Sequence, residues 1–403
     1  MSKKILIVSR YFWPDKTPES LILNSLSKFL ASQGHEVDVL SSFPSYRRDH
    51  SELDIKSTEI TNGFKIIRLK LQNEIGKPFF FRIINAFKLG LKTILLTINN
   101  KYEIIIATSN PPVMGPFIAS FCALLINSRF IYYCMDITPE VGKISGDFRN
   151  PLVFNFLKLI DTLSCLVAKP LIVHSKDMKN TFLKRKFGSK FKFKILNNFS
   201  VESNNQYFIH EKLNVYDDEK KLRVIFAGNI GRFQGLETSI YSMAKIKNHK
   251  DVELIIMGEG VRKEYLIKLA KELKSNVKFI PYQNYELAQK YIKQADLGLI
   301  SLSSGVYKYA YPSKTMAYLE QGKPIIAMVE EKSEIAKEIV KGGYGYVLSN
   351  KESLSDLLLY LKSNPDELKI KSLSAYEKHK NSFSASVILE KWNKIINHEN
   401  KFI

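Results

Sequence analysis

Tyr311-Pro312-Ser313-Lys314, followed by Gly322-Lys323-Pro324, places Pro, Ser and Lys at the start of a short helix between two apolar strands. Pro fits the first turn of a helix, where its missing N–H costs nothing. Ser313 is placed to cap that end, and the free N–H groups there attract anions. Lys314 adds a full positive charge. The segment therefore reads as a phosphate clamp, or more plainly as a helix start with a surface lysine. A second segment favours the clamp. Leu222–Ala227 reads as a buried strand and opens into Gly228-Asn229-Ile230-Gly231-Arg232-Phe233-Gln234-Gly235. Gly228 and Gly231 let the backbone approach a ligand closely, and Arg232 supplies a planar cation. Val252–Met257 ends in Gly258-Glu259-Gly260, and Val277–Ile280 ends in Pro281-Tyr282. These are successive strand ends, and open parallel sheets bind ligands along that edge. Together they predict a crevice for a nucleotide and its phosphates.

The elements that must position these residues alternate along the whole chain. In the N-terminal half, strands are predicted at Lys4–Ser9, Val37–Leu40, Phe64–Leu69, Ile104–Ala107, Arg129–Cys134 and Leu171–His174, with helices between them. Such alternation implies α/β architecture with parallel sheets covered on both faces. The polar stretch Ser200–Lys221 reads as a linker, after which a second alternating series runs to about Leu361. The expected divisions are residues 1–203, 204–383 and a final helical segment 384–403 containing Trp392.

A chain of 403 residues, 45% hydrophobic and 25% charged, suits two sizeable globular cores. Cys122, Cys134 and Cys165 sit in apolar runs and match no metal or disulfide pattern, which suits a reducing cytoplasm. The histidines form no metal spacing either. Met1-Ser2-Lys3-Lys4 leads directly into a strand, so no signal peptide is expected. The net charge is +20, and residues 1–200 hold 29 Lys and Arg against 15 Asp and Glu. That bias suits an anionic ligand or surface. No nucleic-acid motif accompanies it, which argues against nucleic acid as the partner.

Phe79–Ile98 has a narrow polar stripe of Arg82, Asn85, Lys88 and Lys92 on an otherwise apolar helix. Its basic residues argue against spanning a bilayer, and it reads as an interfacial helix with membrane contacts at Phe79, Phe80, Arg82, Lys88 and Lys92. The alternative is a helix whose broad face lies against the sheet. Val113–Ile126 is too short to span and reads as a core helix.

The donor-side segments above resemble the donor domain of family 4 retaining glycosyltransferases. Ile5–Ser9 with Gly34-His35-Glu36-Val37, Thr108-Ser109-Asn110-Pro111-Pro112 and Asp136-Ile137-Thr138-Pro139-Glu140 resemble the acceptor domain of the same enzymes. The closest subgroup makes bacterial O-antigen and capsule, including L-fucosamine-type transferases. The resemblance implies the GT-B architecture, two Rossmann-like domains facing each other across a cleft, with the last helix returning to the first domain. It implies a nucleotide-sugar site at Gly228, Asn229, Gly231, Arg232, Gln234, Glu259, Tyr282, Ser313 and Lys314, with Arg232 and Lys314 on the leaving diphosphate. On the acceptor side it implies Asp136 as the residue that orients or deprotonates the hydroxyl, with Glu140 as a substitute.

The departures from the family pattern are specific. Gln234 stands where a second lysine is common, and the paired glutamates that hold the ribose would fall at Tyr309 and Ala317. Met135 replaces a basic residue before Asp136, and the loop Arg10–Glu19, a candidate lid, lacks the usual glycines. Taken together, the resemblance implies retaining transfer of an N-acetylated or deoxy hexose, such as N-acetyl-L-fucosamine. The donor would be a UDP-sugar and the acceptor an undecaprenyl-diphosphate-type lipid, on the inner face of the bacterial plasma membrane. No metal or other cofactor is expected, since cations and helix ends take that role. The rivals are a nucleotide-sugar epimerase or hydrolase of the same fold, a dinucleotide oxidoreductase and a non-enzymatic surface binder. The oxidoreductase is disfavoured because Arg10-Tyr11-Phe12-Trp13 follows the first strand in place of a Gly-x-Gly-x-x-Gly turn.

Overall fold

The computed structural model describes residues 2–45, 55–72, 79–146, 148–201, 221–349 and 351–397. The chain divides into two compact units, Met1–Asn197 with Leu389–Ile403, and Asn198–Ile388. The division therefore falls a few residues before 204, and the last helix, Ala385–Asn397, passes from the second unit into the first at Leu389.

Among the described residues the first unit holds eight strands: β1 (Lys4–Val8), β2 (Glu36–Ser42), β3 (Thr58–Thr61), β4 (Phe64–Leu69), β5 (Ile104–Thr108), β6 (Arg129–Tyr133), β7 (Leu171–Val173) and β8 (Phe193–Ile195). Their order is β3-β4-β2-β1-β5-β6-β7-β8. All neighbours are parallel except β3, which pairs antiparallel with β4 in the register Thr61↔Phe64. Asn62 and Gly63 both take positive φ between them, the twist a two-residue hairpin turn requires. The alternation reading missed β3, β8 and the helix Thr138–Ser145; the Asn-Gly pair was a visible signal for the first.

Trp392 is fully buried in this unit, its ring edge-on to Tyr133 with centroids 5.0 Å apart. The Ile396 carbonyl, near the end of the same helix, accepts from Lys3 Nζ at 3.1 Å and Arg129 Nη1 at 3.3 Å. Cations at a helix C-terminus oppose its dipole favourably.

Among the described residues the second unit holds a six-stranded, all-parallel sheet: β9 (Leu222–Ala227), β10 (Val252–Met257), β11 (Val277–Ile280), β12 (Leu297–Ser301), β13 (Ile325–Met328) and β14 (Gly345–Leu348). The order is β11-β10-β9-β12-β13-β14. Successive residues of β9 serve opposite faces: Ile225 packs with Ile255 and Ile325, whereas Val224 and Phe226 pack with Leu254 and Ile256. Both faces are covered, which is why these strands read as unbroken apolar runs. The sequence reading placed β9, β10 and β11 at these same boundaries.

Candidate functional site

The strand order of the second unit reverses between β9 and β12, and ligands of open α/β sheets bind outside the strand ends at such a point. The two strands pair only at Leu297↔Val224 and Gly298↔Ile225. Beyond that register they part, and the Tyr318 hydroxyl fills the gap. It accepts from the Ala227 N–H at 2.9 Å and donates to the Leu299 carbonyl at 3.3 Å. Gly298 makes room for the ring, since a Cβ there would lie 2.3 Å from it. Tyr318 belongs to the helix Lys314–Glu320, so this contact fixes the helix at the switch point.

Lys314 is the first residue of that helix. Its Nζ lies 3.4 Å from Gln234 Oε1 and 4.5 Å from the centroid of the Phe226 ring. A Cβ on Gly228 would stand 3.5 Å from Lys314 Cε and 3.8 Å from Nζ. Half-buried among these groups, the ammonium has its pKa pulled down to about 8 by desolvation. Gln234, which replaces a family lysine, thus becomes a neutral partner that shares space with Lys314. Ser313 precedes the helix but makes no side-chain capping bond; Thr315 Oγ1 instead donates to the Pro312 carbonyl at 2.7 Å.

The glycine-rich loops interlock. Gly228 and Gly258 have φ of 143° and 144°, and a Cβ on Gly258 would sit 1.9 Å from the Gly228 carbonyl oxygen. A Cβ on Gly260 would lie 2.3 Å from the Ile230 oxygen. Ile230 N donates to the Glu259 carbonyl at 2.9 Å and Arg262 N to the Ile230 carbonyl at 3.1 Å. Glu259 pairs with Lys263 at 2.6 Å, and its Oε1 also accepts from Tyr282 N at 3.4 Å. Asn229, Arg232 and Ser313 are exposed. The Arg232 carbonyl accepts from Ser303 Oγ at 3.3 Å, while Ser303 N donates to the Phe233 carbonyl at 2.6 Å. Sequence reasoning missed Ser303, which ties the Arg232 segment to the end of β12. It also missed Glu330, whose Oε1 accepts from Gly305 N at 2.8 Å and Ser304 Oγ at 3.0 Å. Neither lies in a recognisable motif.

The first unit gathers a second polar cluster past the ends of β1, β5 and β6. Asp136 N donates to Ser109 Oγ at 3.4 Å. The Asp136 carboxyl remains reachable by solvent, but desolvation by the surrounding protein and repulsion from Glu19 push its pKa up to about 6. Glu19 is buried; its Oε1 accepts from Ser9 Oγ at 3.0 Å and its Oε2 from Asn110 Nδ2. Burial raises the Glu19 pKa against the lowering effect of Thr108, Asn110 and Ser9. Glu19 was seen in the sequence only as the end of a loop.

Three sequence expectations are corrected here. Glu140 is not available as a substitute for Asp136: it is buried against Arg185, with Oε1 3.2 Å from Nε and Oε2 2.6 Å from Nη2. Asp161 takes the third guanidinium nitrogen at 2.5 Å, which completes a buried ion-pair network. The segment after β1 is not a free lid: Phe12 is buried edge-on to Phe64, and Thr17 caps the helix Pro18–Ser32 through Ser20 N. The helix Phe79–Asn99 does not display Asn85 in an exposed stripe; Asn85 is buried, its amide exchanging bonds with Gln72 N and O at 2.9 and 2.8 Å. Lys88 is exposed and Lys92 half-buried, while the side chains of Phe79, Phe80 and Arg82 lie outside the described residues. His174, directly after β7, is buried with its Nδ1 3.0 Å from the Leu196 carbonyl. Burial lowers its pKa to about 4.

Residues 208–379 match the family described as glycosyl transferases group 1. Among curated proteins, the chain is similar to a probable glycosyltransferase, WbjE, of Pseudomonas aeruginosa: 23% identity over 273 residues, 66% of each chain. It is also similar to an uncharacterised glycosyltransferase, MJ1607, of Methanocaldococcus jannaschii: 23% over 335 residues, covering 80% of this chain and 79% of that one. Among solved structures, sucrose-phosphate synthase from Thermosynechococcus elongatus superposes with a TM-score of 0.75 at 14% identity, over 98% of both chains. HepE of Anabaena, solved with UDP-glucose, gives 0.70 at 14% identity over 98% of this chain and 99% of that one. The match to glycosyl transferases group 1 thus falls within the second unit, and the two parallel-sheet units share the fold of these glycosyltransferase structures.

Proposed function

We propose that the protein is a retaining glycosyltransferase that moves a hexose from a UDP-sugar to a lipid-diphosphate-linked acceptor in bacterial surface-polysaccharide synthesis. The observation that carries this reading is the Lys314 ammonium, held at the β9/β12 switch point beside a glycine backbone and a neutral amide. A cation placed there is suited to the negative charge that grows on a departing diphosphate. Arg232, exposed on the loop after β9, supplies a second cation to the same oxygens. UDP as the leaving group is supported by the UDP-glucose complex of the HepE neighbour. An N-acetylated or deoxy sugar, with N-acetyl-L-fucosamine as the leading candidate, follows from the subgroup resemblance.

On the first unit, Asp136 orients the acceptor hydroxyl. With a pKa near 6 it is mostly ionised at neutral pH and can also take a proton. Neutralisation of the diphosphate by Lys314 and Arg232 is proposed to need no metal. The described residues contain no group of three His, Cys, Asp or Glu placed to hold one. The test is a panel of UDP-sugars with a lipid-diphosphate N-acetylglucosamine acceptor in excess EDTA, with the anomeric configuration of the product read by NMR. Transfer with retention is expected. A strict requirement for added Mn²⁺ or Mg²⁺, or an inverted product, would overturn the corresponding part.

A further inference from the structure

Three helices of the first unit expose stripes of large apolar side chains while polar or small residues share their buried side. The helix Phe79–Asn99 buries Asn85, Thr93 and Thr97 yet exposes Phe87 (68%), Leu91, Leu95 and Ile98. The next, Met114–Leu125, buries Ala119, Ser120, Cys122 and Ala123 and exposes Phe121, Leu124 (63%) and Leu125. The third, Pro151–Val167, buries Asp161, Thr162 and Ser164 and exposes Leu152 (79%), Phe156 (62%), Leu159 and Leu163. A helix covering a sheet ordinarily does the reverse. The buried hydroxyls survive because they donate back into the helix, as Thr93 does to Leu89 O at 2.8 Å and Thr162 to Lys158 O at 2.7 Å.

The central helix packs against both others. A Cβ on Gly90 would lie 2.2 Å from Ile118 Cδ1, so the first two helices cross closely. The three outward stripes therefore belong to one apolar face, of a kind that marks an interaction surface. Its charge is one-sided. Lys88 and Lys92 lie on these helices with Lys158, whose Nζ is 3.7 Å from Glu140 Oε1, and their only acidic residue, Asp161, is buried on Arg185 and Tyr132. A second copy of this face would set lysine against lysine. Among the described residues no helix is long and apolar enough to cross a membrane.

We propose that this three-helix face docks the protein on an anionic lipid bilayer without crossing it. Phe121, Leu124, Phe156 and Leu159 enter the acyl boundary while Lys88 and Lys92 meet the headgroups. The proposal enlarges the single helix seen in the sequence to a surface centred on Met114–Leu125. It concerns where the enzyme works, and its test reads no turnover, so its failure would leave the transfer chemistry standing.

The experiment is co-sedimentation of the full chain with vesicles of neutral phosphatidylcholine, with and without 30% (about a third) phosphatidylglycerol. Binding to the anionic vesicles is expected, weakened by salt. Leu124→Gln with Phe156→Gln, on a chain shown to be folded by its thermal transition, should reduce the partition coefficient at least about tenfold. Lys88→Gln with Lys92→Gln should reduce it by about fivefold per charge and flatten the salt dependence. As a direct depth reading, Phe121→Trp should lose fluorescence in vesicles of brominated lipid. No binding of the wild-type chain to anionic vesicles, no quenching at position 121, or a dimer that Leu124→Gln converts to monomer would each overturn the proposal.

Discussion

The Lys314 ammonium rests 3.4 Å from the Gln234 amide oxygen, and no carboxylate is paired with it among the described residues. A lysine at a protein surface ordinarily finds an acidic neighbour or bulk water. Here burial holds its pKa at about 8, so the cation is present at pH 7 and lost as pH rises through 8. kcat/KM for the donor reports the free enzyme and should fall above about pH 8. Lys314→Arg, which stays charged, should remove that limb from the profile even if its absolute rate is lower. An unchanged alkaline limb in the arginine variant would show that another group titrates there.

Gly258→Ala should destabilise the second unit strongly. The added methyl would stand 1.9 Å from the Gly228 carbonyl oxygen, on a backbone with φ of 144°. Neither partner is a flexible side chain, so both loops must move. A loss of roughly 2–4 kcal/mol is expected from strain and overpacking together. Urea unfolding measures it, and a loss under about 0.5 kcal/mol, the range of an ordinary surface change, would contradict the interlocked loops.

Asp136→Asn should slow transfer to a true acceptor by about 10²–10⁴, the range for a general base. Hydrolysis of the donor by water should suffer less, because Asp136 belongs to the first unit and the proposed diphosphate cations, Arg232 and Lys314, to the second. Glu19→Gln removes the charge that repels the Asp136 carboxylate, so Asp136 should ionise more readily. The acidic limb of the wild-type profile, expected near pH 6, should then move to lower pH. Equal losses of transfer and hydrolysis in Asp136→Asn would remove it from the acceptor side.

Glu140→Gln should cost stability first and activity only through it. Arg185 would keep Asp161 but lose its bidentate carboxylate in a buried setting. Breaking one side of such a network costs about 3–5 kcal/mol. The check is a denaturation curve beside kinetics on the folded fraction; an inactive variant of wild-type stability would return Glu140 to the site.

The second unit was legible because its physics is local. Strands covered on both faces give unbroken apolar runs, and glycine marks the places where two loops meet, as Gly228 and Gly258 do. What stayed hidden depends on distant partners. Glu19 and Asp136 lie far apart in the chain and act on one another only after β1, β5 and β6 are aligned. Glu140 looked like a spare base because its partner, Arg185, comes 45 residues later. Helix periodicity also misled: the pattern in Phe79–Asn99 separates polar from apolar residues correctly but cannot say which side faces the sheet. Asn85 and Thr93 went inward and Phe87 and Leu91 outward.

The central claim is most directly tested by UDP release from a UDP-sugar with and without a lipid-diphosphate acceptor, in the wild type, Lys314→Ala and Arg232→Ala. Release by the wild type should depend on the acceptor, and each variant should be slowed by roughly 10²–10³, the loss typical of removing one preorganised partner of developing negative charge. Both variants should keep the wild-type unfolding transition. Release that ignores the acceptor, or near-normal turnover in Lys314→Ala, would contradict the account.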